Sequence, residues 1–219
     1  MDVLAFASPT PALRNNSSAP VPARIPPHYA PAIPLPPYAY ITGQGLPHPV
    51  NDPRGHLYAQ KDQLHEPPIS PDVLASLPTE PASRRRALAA LLAVNSRWLC
   101  ALDLFNQGFY WESHEAWESF WNALGRTTPE ALFVQGLIHL AAACVKVREG
   151  KPNGVARHTQ RARELLGDLE AAPVGGALGL APESVTAVVA ELEKYTRVCW
   201  HTTPAPVVRV LDESLWLAR

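Results

Sequence analysis

The chain has 219 residues and a formal net charge of −1. Such a balance gives no global argument for binding to nucleic acid or to a membrane surface. The three cysteines, Cys100, Cys144 and Cys199, are far apart and set among apolar residues, so they predict buried thiols in a reducing compartment, with no disulfide framework and no zinc site. No apolar run approaches the length of a membrane span, and we expect a cytoplasmic protein.

Proline divides the chain into two compositional parts, because 18 of the 24 prolines lie in the first 81 residues. Residues 1–30 lack any hydrophobic period and are predicted to be disordered. Residues 31–81 mix aromatics with prolines, which exclude regular helix, so we expect a strap that packs on the rest of the protein. Residues 82–201 are predicted to form a helical domain, and residues 202–219 an extended tail.

The helical pattern predicts an all-α fold, an antiparallel bundle of about five helices. Thr128 and Pro129 are typical of a helix start, whereas Gly125 and Gly150 are typical of helix ends. Val207 to Leu211 is the only strand candidate. The predicted helices span residues 82–106, 110–123, 129–150, 152–170 and 182–201.

The second predicted helix combines aromatic and titratable residues on one face. On a helical wheel this side carries Tyr110, His114, Trp117, Glu118 and Trp121. Glu115 lies a little further round, and the opposite, small-residue side carries Ser113, Ala116 and Ser119 together with Glu112. Burial of an imidazole and a carboxylate on the aromatic side is costly unless they are paired, so this helix is where we expect the functional site.

The third predicted helix carries Gln135, His139 and Lys146 on one face, with small residues beside them at Gly136 and Ala141 to Ala143. The small residues would let another helix come close. Because a short loop joins the second and third helices, we expect them to pack side by side. This packing would bring His114 and Glu118 toward Gln135 and His139.

Three interpretations of this cluster stay open. In the first, a pocket between the two helices uses His114 as acid/base or ligand, with Glu118 as its orienting partner. In the second, His114 and Glu118, one turn apart, hold a divalent metal ion, and Glu115 acts as the base. In the third, His114 is paired with Glu118 and Gln135 in a buried network that only fixes helix register.

The strap offers further polar side chains at His48, Asp52 and His56. Either His139 or these three residues could complete a metal site. In the pocket interpretation the strap is a lid. The alternative is turn chemistry, because Asp52-Pro53 and Arg54-Gly55 are common turn pairs.

A basic stretch runs from Lys146 to Arg163, and Arg157 and Arg161 in it are one helical turn apart. Near the start of a helix, these cations could bind a phosphate or carboxylate. The alternative is a solvated helix face. The stretch has no interleaved aromatic residues, so nucleic-acid binding is not favoured.

The second and third helices resemble a family of small helical proteins, mostly bacterial, known only as a domain of unknown function, DUF309. The resemblance covers about residues 98–165, and Asn153-Gly154 resembles the turn that follows the third helix. The Pro-rich strap resembles an extension found in longer members. The resemblance implies an all-helical bundle and supplies no reaction, cofactor or partner. The residues that carry it are Phe105, Gly108, Tyr110, Trp111, Glu112, His114, Glu115, Glu118, Trp121, Gln135, Gly136, Leu137 and Ile138.

From these observations we predict a small-molecule-binding or catalytic pocket, with a divalent metal as one alternative. The rivals are an interaction module without catalysis and an anion binder. The oligomeric state stays open, a homo-oligomer included. The candidate catalytic residues are His114, Glu115 and Glu118, of which His114 and Glu118 are the metal candidates, and the candidate binding residues are Glu112, Gln135, His139, Lys146, Arg157 and Arg161.

Overall fold

The computed structural model describes residues 25–62, 66–167, 178–195, 207–212 and 214–219. These residues form seven α-helices, a 3-10 turn at Tyr58–Gln60 and no strand, which confirms the all-α prediction. Most of the N-terminus predicted to be disordered, the ends of the fourth and fifth predicted helices, and Cys199 lie outside the described residues. The helices are α1 Pro71–Ser76, α2 Pro81–Val94, α3 Ser96–Asn106, α4 Tyr110–Ala123, α5 Pro129–Arg148, α6 Pro152–Leu166 and α7 Pro182–Lys194.

The first predicted helix, 82–106, is in fact two helices, α2 and α3, that meet at an angle of 74°. Asn95 breaks the helix because its backbone is extended and its side-chain Oδ1 accepts a hydrogen bond from the Trp98 N–H at 3.0 Å. A side chain that caps a new helix in this way competes with continuation of the old one. The Asn95 amide also donates to the Pro68 carbonyl, which ties the corner to the segment before α1.

The short helix α1 was not predicted, although its start signal is present in the sequence. Ser70 caps it, since its Oγ accepts from the Val73 N–H, and Pro71 occupies the first turn.

Helix α5 is the centre of the bundle and packs against both α4 and α6. By length and mean hydropathy, α5 could cross a membrane. The sequence analysis expected no run of this kind. However, 72% of its apolar window is buried inside the protein. Its apolar residues are therefore accounted for by contacts with neighbouring helices, as in a core helix.

A glycine allows α5 and α6 to come close. A Cβ atom added at Gly136 would stand 2.5 Å from Cγ of Leu166, a buried residue at the end of α6. The small residues of the third predicted helix were expected to let another helix come close, and the contact between Gly136 and Leu166 is of this kind. The packing of α6 against α5 determines which side chains of the two helices meet.

The non-helical segments are fastened to α3 and α4 by buried polar side chains. Asp103 accepts hydrogen bonds from the N–H groups of Tyr29 and Ala30, both at 2.7 Å. Asn106 accepts from the Leu217 N–H and donates to the Leu217 carbonyl.

The described part of the C-terminal segment is held mainly by side chains, together with one backbone hydrogen bond from the Ala181 N–H to the Ala218 carbonyl. The N–H of Val210 donates to the Tyr110 hydroxyl, and the Val210 carbonyl accepts from the Tyr195 hydroxyl. The strand candidate Val207 to Leu211 is therefore wrong for the residues described, because the backbone groups of Val210 bond to side chains.

Gly136→Ala should lower the free energy of unfolding by about 1–3 kcal/mol, because the added methyl group overpacks against Leu166. Gly167→Ala is the matched control, since a Cβ there meets nothing within 4 Å and the residue already has helical dihedral angles. Urea unfolding of both variants measures the difference. The clash should be partly relieved in the Gly136→Ala/Leu166→Ala double variant, so a strictly additive double-mutant cycle would contradict this account.

Candidate functional site

A cleft of about 710 Å³ opens between helices α3 and α4 and residues 25–62, which we call the Pro-rich segment and which contain most of the predicted strap. Its apolar side is formed by Ile33, Leu35, Val50 and Leu57, together with several prolines of that segment. Glu112, Glu115 and Glu118 line the side formed by α4, where a spacing of three residues places them along one stripe of the helix. The remaining polar lining includes His56, Gln60, Lys61, Arg97, Ser119 and Asn122.

Glu112 is the most buried carboxyl group of the cleft, at 3% exposure. Its Oε1 accepts a hydrogen bond from the Tyr40 N–H at 2.9 Å, whereas its Oε2 is buried and has no hydrogen-bond partner among the described residues. Burial raises the pKa of Glu112 to about 7, partly offset by the Tyr40 bond and by the charge of Arg148. The group can therefore both donate and accept a proton near neutral pH.

His56 is the partner that the Pro-rich segment places beside Glu112. Its Nε2 lies 3.5 Å from Glu112 Oε1, and its side chain is only 8% exposed. Neither ring nitrogen has a hydrogen-bond partner in the part of the chain that the structure describes. Burial also lowers the pKa of His56, which favours the neutral form of the ring.

The other two polar residues predicted from this segment serve turns. His48 Nδ1 accepts from the N–H groups of Val50 and Asn51 at 3.3 Å. Asp52 bonds both the backbone and the side chain of Arg54, and these bonds lower the pKa of Asp52 to about 2. His48, Asp52 and His56 therefore do not converge on one ligand position.

The wheel placed Glu112 on the side of α4 away from the buried face, and this placement is wrong. Glu112 and Ser113 are buried, whereas His114, Glu118 and Trp121 are half-exposed. The physical reason is that the Pro-rich segment covers the Glu112 side, with Tyr40 and His48 packing their rings against Trp111 at 5.3 Å. A helix covered on two sides has no single buried face.

His114 does not line the cleft, and its nearest carboxylate contact is with Glu115; among the described residues it makes no hydrogen bond to Glu118, the partner that the sequence suggested. Its Nδ1 is 3.4 Å from Glu115 Oε1. One potential ligand atom from each of His114, Glu115 and Glu118 lies within 4.8 Å of the others, which is close enough to hold one ion. That a metal binds His114 and Glu118 stays a prediction.

His139 meets a residue that the sequence analysis did not single out. Its Nδ1 lies 3.1 Å from Nδ1 of His158 on α6, and both side chains are half-buried. Burial lowers the pKa of both rings, in the case of His158 to about 4, and the charge of Arg161 at His139 and the neighbouring His139 ring at His158 add to the effect. Gln135 lies one turn before His139 but makes no hydrogen bond to His114 or Glu118 within the described ranges.

The basic stretch does not present one cationic surface. Lys146 contacts Glu149 at 2.8 Å and Arg161 contacts Glu164 at 2.9 Å. Arg163 forms an ion pair with Glu193, and Arg148 is fully buried. This distribution resembles the solvated helix face that was the alternative interpretation, and anion binding through Lys146, Arg157 and Arg161 stays a prediction.

Three residues of structural or chemical interest were missed. Asp103 and Asn106 are polar residues within an otherwise apolar buried stretch of α3, and this local contrast was the available signal. In α6, Val155, Thr159 and Ala162 form the buried stripe, and His158 lies next to this stripe. The amphipathic pattern of α6 could therefore have placed His158 toward α5.

Two cysteines fall within the described residues, and both are free thiols. Cys100 lines the cleft, and burial raises its pKa to about 11. A thiol with so high a pKa is a poor nucleophile at neutral pH.

Residues 98–158 match the family model described as "Domain of unknown function (DUF309)". The match runs from α3 into α6, so it includes all of α4 and α5 with the three carboxyl groups of the cleft and both histidines of the α5–α6 pair. The Pro-rich segment lies outside it. No curated protein and no solved structure matches the chain.

Glu112→Gln should remove a pH dependence of stability. Because the pKa of Glu112 is about 7 in the folded protein and 4.5 is its usual value, the wild type should lose stability as the pH rises through this window, by at most about 3 kcal/mol. The glutamine variant keeps an acceptor for the Tyr40 N–H and carries no charge. Its free energy of unfolding should therefore rise relative to that of the wild type between pH 4.5 and 8, as measured by urea unfolding in EDTA.

Glu118→Gln is the control for this experiment, since it removes a half-exposed carboxylate from the same side of the cleft. Parallel pH profiles for wild type and Glu112→Gln would show that Glu112 titrates alike in the folded and unfolded chains.

Proposed function

We propose that this chain binds a small organic molecule in the cleft between the Pro-rich segment and α4. The proposal rests on the cleft itself, because the family model that residues 98–158 match describes a domain of unknown function. Glu112 and His56 anchor that molecule, and Glu115 and Glu118 extend the polar contact along α4. The cleft volume is within the range common for small-molecule sites.

The observation that carries this proposal is the set of unpartnered polar atoms at the cleft. Glu112 Oε2 and both ring nitrogens of His56 are buried without a hydrogen-bond partner among the described residues. Most buried polar atoms in folded proteins have a partner, and leaving one without any costs about 1–3 kcal/mol. A ligand that supplies hydrogen-bond donors to Glu112 and contacts His56 would offset this cost.

The lining indicates the chemistry of the ligand. The Pro-rich segment contributes an apolar surface, and α4 contributes three carboxyl groups in one stripe. A molecule that has an apolar body and an amine or other hydrogen-bond-donating group matches both sides. An anionic group is disfavoured on the α4 side, because it would lie next to Glu115 and Glu118. The two cations of the lining have contacts of their own: Lys61 lies over the Tyr58 ring, and Arg97 donates to the Glu66 carbonyl.

The same geometry supports acid/base chemistry on the bound molecule. Glu112 lies at the cleft, is shielded from water and has a pKa near neutrality, as a general acid or base requires. His56 is close enough to orient it or to exchange a proton with it. This assignment moves the acid/base role from His114, which does not line the cleft, to Glu112.

The binding proposal is tested with three probes of equal length, hexylamine, hexanol and hexanoate, by thermal denaturation of the wild type at millimolar concentration. Hexylamine should raise the melting temperature most and hexanoate least, because bound ligand stabilises the folded chain by mass action. Glu112→Gln and the cleft-filling Ser119→Trp should both abolish the rise.

Glu183→Gln, an exposed carboxylate in the first turn of α7, is the matched control and should respond like the wild type. The proposal fails if no probe shifts the wild type. It fails equally if Glu112→Gln and Ser119→Trp both respond as the wild type does, since binding would then lie elsewhere.

A further inference from the structure

Helices α5 and α6 bring two imidazole rings together outside the cleft. Nδ1 of His139 and Nδ1 of His158 are 3.1 Å apart, and the ring centroids are 5.3 Å apart with 38° between the planes. Neither residue lines the cleft between the Pro-rich segment and α4. The pair is therefore a separate feature of the molecule, and the cleft proposal does not use it.

The spacing of the two nitrogens is that of ligands sharing one metal ion. Zinc–nitrogen bonds of about 2.0–2.1 Å place two ligand nitrogens about 2.9 Å apart at a right angle and about 3.3 Å apart at the tetrahedral angle. The observed 3.1 Å lies between these values. We propose that His139 and His158 bind a transition-metal ion of the zinc type through their Nδ1 atoms, with water in the remaining positions.

The helices hold this geometry without a metal. Gly136, three residues before His139, lets α6 approach α5, and Leu166 fills the space beside it. On α6, Val155, Thr159 and Ala162 are buried and fix the side of the helix from which His158 projects. Two ligands on packed helices lose little conformational freedom when an ion binds, which favours binding.

The protonation state of the rings also suits a transition-metal site. Both rings are half-buried, and burial favours the neutral imidazole, which is the form that coordinates a metal. Imidazole pairs favour zinc, copper, nickel and iron over magnesium or calcium, which prefer oxygen ligands. The ion expected here is thus of a different class from one held by carboxylates alone.

Positive side chains near the histidine pair repel a metal ion, but most of them are paired with carboxylates or screened by water. Lys146 from α5 contacts Glu149, and Arg161 from α6 contacts Glu164. From α4, His114 lies beside Glu115. Arg157 is exposed on α6, so water screens its charge. Removing the charge of Arg157 should strengthen metal binding, whereas it would weaken the binding of an anion at the same place.

The test is titration of tag-free, metal-free protein with Zn²⁺ by calorimetry and with Co²⁺ by visible absorption. The wild type should bind about one ion per chain, and His139→Gln and His158→Gln should each raise the Kd by at least about tenfold. Glutamine keeps polarity and approximate size, and a melting curve checks that each variant folds. His28→Gln, which alters an exposed histidine at the start of the Pro-rich segment, is the matched control and should keep the wild-type Kd.

Further variants separate this site from its neighbours. Arg157→Gln leaves both rings in place and should lower the Kd for Zn²⁺ several-fold, and Glu112→Gln should leave it unchanged. Absence of Zn²⁺ and Co²⁺ binding by the wild type would overturn the proposal and leave the pair as a hydrogen bond between two rings. Loss of binding in Glu118→Gln, with binding kept in His139→Gln and His158→Gln, would place the ion on α4 and overturn it as well.

Discussion

A row of buried polar side chains at the α3–α4 corner holds several of the described non-helical segments in place. Asp103, Asn106, Tyr110 and Glu112 lie within ten residues of one another and are nearly inaccessible to solvent. Each is matched by backbone groups far away in sequence: those of Tyr29 and Ala30, Leu217, Val210 and Tyr40. Buried polar groups left without partners are costly, so the corner and the segments it holds depend on each other.

Within that row, Glu112 differs from the others in a way that separates structure from function. Both carboxylate oxygens of Asp103 accept backbone hydrogen bonds, and the Asn106 amide bonds Leu217 twice. Glu112 holds Tyr40 with one oxygen, and its other oxygen, at the cleft, has no hydrogen-bond partner in the part of the chain that the structure describes. This second oxygen is the atom that the proposed ligand would contact.

The α5–α6 contact has an equivalent role on the other side of the bundle. It depends on a small residue, Gly136, and it determines which side chains meet across the two helices. The His139–His158 pair is one consequence of that contact. The two proposed sites therefore rest on different structural constraints, one on the Pro-rich segment over α4 and one on the packing of α6 against α5.

Local signals in the sequence were enough to predict the all-α fold and the limits of α4 and α5. Residues such as Thr128, Pro129 and Gly125 act on their immediate neighbours, so their effect can be derived without knowledge of the fold. The same signals were misjudged at Asn95, where a capping side chain divides a helix that the apolar pattern alone would continue. The carboxylates of α4 were also identified as candidates from the sequence.

Only the tertiary structure decided which of these residues face a cleft and which face each other. Helical periodicity gives the relative directions of Glu112, His114 and Glu118, but not which segment covers each side of the helix. Glu112 is buried by Tyr40, 72 positions away, and His139 meets His158 across two helices. These contacts arise from long-range packing, which changes the solvation of a carboxyl group or an imidazole and with it the chemistry that the group can perform.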